Sequence, residues 1–207
     1  MIEIKHKQSG EVLLRLDGPS LAGHKFAGAH LEGADFGGVD LKGADFRSAD
    51  LRRAHFERAN LDGANFCEAV LGGTNFIGAS CVKADFTNSM AKGAIFQEAK
   101  LEKAILRYVK GGDMDFTKAN LTQVDASMAD LRGNFSAANL TSADLRATNL
   151  EGANFTDAVL DKANLKGAHL RGTLLTRCRM TDTIDAAGQK MVPKNKCNDR
   201  PWWQFWG

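Results

Sequence analysis

The chain has little of what most functional assignments rest on. Its four cysteines, Cys67, Cys81, Cys178 and Cys197, show no paired spacing. Neither a zinc pattern nor a disulfide framework is legible, and a reducing, cytoplasmic setting is the expectation. No apolar run approaches the ~18 residues of a membrane-spanning helix. Glu3, Lys5, His6 and Lys7 interrupt any apolar stretch near the start, so no secretory signal is expected. Charge is also nearly absent in sum: 27 basic against 25 acidic residues leave +2. That balance lacks the one-signed field of a nucleic-acid-binding face, and a membrane-surface anchor in the aromatic C-terminal stretch is weakened by its sparse basic flank.

What the chain has in abundance is one sentence repeated. Ala34-Asp35-Phe36, Ala44-Asp45-Phe46, Ala49-Asp50-Leu51, Ala59-Asn60-Leu61 and Ala64-Asn65-Phe66 share a small residue, then Asp or Asn, then Leu or Phe. Two mostly polar or glycine positions complete a unit of five. The Leu/Phe position is taken below as the centre of each unit. Five matches neither the helical period nor the strand period. On a helix, an apolar stripe at this spacing would precess by about 140° per step and bury nothing coherent. A solenoid of short extended sides and corners fits instead.

These motifs resemble the pentapeptide-repeat family, A(D/N)LXX, over about four-fifths of the chain. The resemblance implies an all-β fold, a right-handed quadrilateral β-helix with four units per coil. Centre and alanine side chains would point inward, and the other three outward.

The residues support four sides independently. Stacked at twenty, Phe36, Phe56, Phe76, Phe96 and Phe116 fall in one column, and Leu21, Leu41, Leu61, Cys81, Leu101 and Leu121 in another. Leu131 is followed by Phe135, one residue short, after which the period resumes in the same columns. The missing residue should trim a corner without rotating the coil. The centres from Leu21 to Met180 make roughly eight coils, a rod on the order of 40 Å long at the usual strand spacing. Three segments follow: an N-terminal β-hairpin cap at 1–18, read from alternating Ile2, Ile4 and Val12, Leu14, Leu16; the repeat body at 19–181; and a C-terminal capping tail at 182–207. All three tryptophans lie in that tail, in Trp202-Trp203-Gln204-Phe205-Trp206. Trp202, Trp203, Phe205 and Trp206 are expected to cover the last coil, or to contact a second copy in a homodimer through the C-terminal end.

Chemistry is harder to find. The Asp and Asn array suits local turn-setting bonds to backbone N–H groups better than a metal or an acid pair. Gly23, Gly28, Gly33 and Gly43 recur in one phase, where a corner can demand positive φ, and lack the strand-then-helix setting of a phosphate loop. Lys42, Arg47, Arg52, Arg53 and Arg58 fall on successive sides, so they ring the rod and form no stripe. The histidines are scattered, and no catalytic set, metal site or cofactor site can be nominated. The middle breaks the rule: Cys81, Ala91, Gly111 and Ala126 sit at centres, while Met90, Ile95 and Ile105 occupy outward Asp/Asn positions near Tyr108. Met90, Ile95, Ile105 and Tyr108 are therefore the expected partner-binding patch. The expected function is a non-enzymatic protein-interaction scaffold whose protein partner is unidentified. The alternative is a DNA-mimicking modulator of gyrase or topoisomerase, like the quinolone-resistance members of the family; the near-neutral charge opposes it.

Overall fold

A computed structural model describes residues 1–191. Among them no helix occurs, and the chain climbs in coils of twenty residues. Parallel bridges join each Asp/Asn-type position to its counterpart one coil on: Asp45 to Asn65, Asp50 to Val70, His55 to Asn75, Asn60 to Ser80. These four pairs belong to four rows, here numbered I (through Asp40, Asn60 and Ser80), II (Asp45, Asn65), III (Asp50, Val70) and IV (Asp35, His55, Asn75).

One unit shows why five residues suffice. Around Phe46, every backbone N–H has a partner. Phe46 N donates to Asn65 O at 2.7 Å and Ser48 N to Cys67 O at 2.9 Å, both in the next coil. Asp50 N donates to Ala29 O of the preceding coil at 2.9 Å, and Ala49 N closes a turn onto Phe46 O at 3.1 Å. The remaining donor, Arg47 N, is taken by the Asp45 carboxylate at 3.1 Å. Buried or ordered backbone must be paired, and here the repeated Asp/Asn supplies the one acceptor the ladder lacks. The turn has positive φ only at its second central residue (Ser48, 55°), the type II pattern.

Centres from Leu21 to Leu165 are at most 4% exposed, Gly111 apart. Phenylalanines fill row IV from Phe36 to Phe155 and row II from Phe26 to Phe86, beyond which row II holds Leu106, Ala126 and Leu145. The row IV rings from Phe36 to Phe155 stack at 4.5–5.2 Å. Row II rings meet them edge-on, as Phe46 meets Phe36 at 5.8 Å. As far as Phe96, two ring columns at interior density leave space for little more than a methyl at the alanine positions. Where threonine takes that place, its hydroxyl donates to a carbonyl one coil back, as Thr74 does to Leu51 O at 2.8 Å.

The shortened unit behaves as expected. Bridges crossing it span nineteen residues (Asn120 to Asn139, Asp130 to Asn149) and return to twenty at Asn134 to Asn154. At the break, β3 (Met114–Asp115) and β4 (Gly133–Asn134) pair in parallel. Met114 crowds both Gly111 and Gly133, and the Asp130 carbonyl crowds Gly111 as well. A methyl on Gly111 would meet the Met114 sulfur, and one on Gly133 the Met114 backbone. Met114, 1% exposed, fills the interior that Gly111 leaves empty.

The N-terminal hairpin forms from β1 (Ile2–Lys5) and β2 (Val12–Leu16), paired antiparallel with an irregularity that adds Leu13. It lies against the first coils through Asp35 N to Lys5 O and Lys7 N to Gly33 O, each 2.8 Å. Ile4 is buried, with Ile2, Leu13, Leu14 and Leu16 packed on the core. At the other end the ladder continues to Ile184, past the expected boundary at 181. The chain then turns back, and Met191 N bonds Thr183 O at 2.7 Å.

Candidate interaction surface

The outward position before each centre decides the surface. An Asp or Asn there folds back onto the backbone; Met90, Ile95 and Ile105 carry no acceptor and cannot. The expectation of a single patch from these residues and Tyr108 does not survive the ladder. Met90 lies between Val70 and Lys110 in row III, Ile95 between Asn75 and Asp115 in row IV, and Ile105 between Asp85 and Asp125 in row II. At five-residue spacing, neighbours in sequence occupy different sides. Ile95 and Ile105 are half-buried, whereas Met90 is 53% exposed.

Row II gathers what remains. Tyr108 sits at the left-handed corner position after Leu106 (φ 57°), and Met128 at the same corner one coil on (φ 60°). They are 47% and 58% exposed, beside Ile105. Met128 escaped the sequence reading, although stacking outward corners at twenty would have aligned it with Tyr108. The arginines around this pair are ion-paired. Arg107 bonds Asp125 at 2.6 Å, and Arg146 bonds Asp144 at 2.6 Å. Burial opposes ionisation of Asp125, but bonds from Ser127 and Arg107 outweigh it and hold the carboxyl below its usual range. The surface is therefore an aromatic and a thioether bordered by neutralised guanidinium groups. Contacts on such a surface rest on desolvation and shape.

A cavity of about 570 Å³ opens on row III where the shortened unit removes a corner. Lys92, Arg132, Asp113 and Glu151 share its lining with glycines, and no Ser, Thr, Cys or His takes part. Arg132 is held by Asp130 through two bonds of 2.7 and 2.8 Å. Cys67 lies elsewhere, half-buried on row II; burial, then the Asp85 carboxylate, pushes its thiol up to about 11, so it stays protonated near neutrality. Among the described residues no three His, Cys, Asp or Glu side chains cluster as metal ligands. Trp202, Trp203, Phe205 and Trp206 lie outside the described residues.

The family model for pentapeptide repeats matches in eight copies over residues 15–47, 25–63, 49–79, 69–107 and 134–183. The chain belongs to the pentapeptide-repeat family. Between the matched segments lies 108–133, which holds Gly111 and the approach to the shortened unit. Among solved structures the chain is similar to HetL, a pentapeptide repeat protein involved in heterocyst differentiation regulation from the cyanobacterium Nostoc. They are 29% identical over 81% of this chain and 78% of HetL, with a TM-score of 0.49. It is also similar to QnrB1, a plasmid-mediated fluoroquinolone resistance protein, at 19% identity over 78% of this chain and 91% of QnrB1, TM-score 0.54. The likeness to QnrB1 is one of fold. No curated protein sequence matches this chain.

Proposed function

We propose that this pentapeptide-repeat protein is a non-enzymatic interaction scaffold, its coils closed into the right-handed quadrilateral β-helix of its family, and that it holds a protein partner on row II. The observation that carries this reading is the exposed Tyr108–Met128 pair beside Ile105, on a side whose arginines are already ion-paired. Tyrosine, methionine and arginine are the residues enriched in interface centres, and ion-paired arginines at a rim exclude water without selecting a highly charged partner. The charge pattern supports this over gyrase or topoisomerase modulation by DNA mimicry. Row IV and its corners, the most acidic side, set Asp35, Glu57, Glu98, Asp115 and Asp157 against Arg58, Lys118 and Arg177. A mimic of duplex DNA needs a far denser array of unpaired anions.

The test is cross-linked capture from cell extract with the wild type, a Tyr108→Asp/Met128→Asp double variant, and Met90→Asp on row III. Loss of one captured protein in the double variant and its retention by Met90→Asp supports row II. Equal capture by all three removes row II from the reading.

A further inference from the structure

The two ends of the core are finished unequally. At the N-terminal end, Ile2, Ile4, Leu13, Leu14 and Leu16 of the hairpin lie on the first coil, and Leu21 is only 4% exposed. At the C-terminal end, the described residues past the last coil are the turn at 185–189 and the short return through Lys190 and Met191. Solvent accordingly reaches the last coil: Leu170 and Met180 are half-buried centres and Leu175 is 8% exposed, where earlier centres are closed. A stack of apolar coils exposes its full cross-section unless something apolar covers it.

We infer that the aromatic tail, Trp202-Trp203-Gln204-Phe205-Trp206, covers this open end in its own chain, seating on Leu170, Leu175 and Met180. The place where the described chain ends favours this occupant. Lys190 pairs antiparallel with Ile184, and Met191 N bonds Thr183 O, so residues 190–191 occupy the level where a further coil would stack. The return strand mirrors the N-terminal end, where Lys5–Lys7 runs antiparallel along Gly33–Asp35. The described chain thus ends at the rim of the open end. The eleven residues from Met191 to Trp202 span up to about 36 Å, and a five-residue side is at most about 17 Å across, so the reach is ample. The tail also holds all three tryptophans of the chain, against one tyrosine and no tryptophan in the rod. Large rings are the side chains that close most apolar area per residue. A second copy docking end to end is the competing occupant, distinguished by its dependence on concentration.

Because every tryptophan is in the tail, tryptophan emission of the full-length protein reports on this segment alone. The expected result is emission blue-shifted from the guanidinium-unfolded chain and acrylamide quenching reduced several-fold, both unchanged across dilutions at which sedimentation shows monomer. Met180→Lys should return emission and quenching toward the unfolded values, while the outward control Lys162→Glu should not. Single-tryptophan chains keeping Trp202, Trp203 or Trp206 supply the same readout without touching the coil, in case Met180→Lys loosens it. Fully quenchable tryptophans in the folded monomer overturn the inference, as does protection that appears only in a concentration-dependent dimer. Neither result touches row II, whose test is partner capture.

Discussion

At the scale of the residue, two positions in each unit carry the fold's local chemistry. The Asp/Asn acceptor closes the one N–H that the ladder leaves open, and where it is missing another residue can serve. Ser80 stands at such a position; there Val82 N bonds the Asp62 carboxylate, 3.1 Å away and one coil back, which also accepts from the Ser80 hydroxyl at 2.6 Å. Asp161 does the same for Thr181 N beside Arg179. The second position is the left-handed corner, held by glycine in some units and by Arg53, Lys103 or Tyr108 in others. Gly43 adopts φ 66° in open space, with nothing near an added methyl. Gly43→Ala should therefore lose about 1 kcal/mol from backbone conformation alone, read as a shift in the urea midpoint. An unchanged midpoint would mean that the corner imposes no conformational demand.

At the scale of the element, the shortened unit is the most constrained feature. Its β3–β4 contact brings Gly133 against the Met114 backbone, which cannot swing aside as a side chain can. Gly133→Ala should lose about 3 kcal/mol, well beyond Gly43→Ala, because it overpacks backbone on backbone. Thermal unfolding of the two variants side by side decides this; equal losses would refute the tight contact. The irregular interior around Gly111 is thus packed, with Met114 and Val109 (2% exposed) carrying the volume that the centre lacks.

At the scale of the whole molecule, stability should depend on acid. Asp45, Asp50 and Asp130 each take a guanidinium two residues on, from Arg47, Arg52 and Arg132, and these bonds hold their carboxyls below the usual range. A carboxyl lowered in the folded state binds fewer protons there than in the unfolded chain. Its contribution is complete above the unfolded value, about 3.9, and is lost as pH falls through the folded value. The melting temperature should hold steady from mildly alkaline to mildly acidic buffer and fall once pH drops below about 4. A melting temperature at strongly acid pH equal to that near neutrality would refute this. The rod's own pairing of its charges also predicts that gyrase supercoiling, with or without a quinolone, is unaffected by added protein; inhibition or drug rescue would revive the DNA-mimic reading.

Much of this architecture is legible in the sequence because each five-residue unit sets its own side-chain directions. Which residues face inward, the coil length of twenty, the trimmed corner after Leu131 and the hairpin at the start all follow from local pattern. The surface does not. Met90, Ile95 and Ile105 are close in sequence and lie on three sides; Tyr108 and Met128 are twenty apart and share a corner. Asp62 replaces an acceptor at Ser80 and Met114 fills the space above Gly111 for the same reason. Inward or outward is decided within a unit, but a neighbour is decided by the register of stacked coils, and only the tertiary ladder fixes that register.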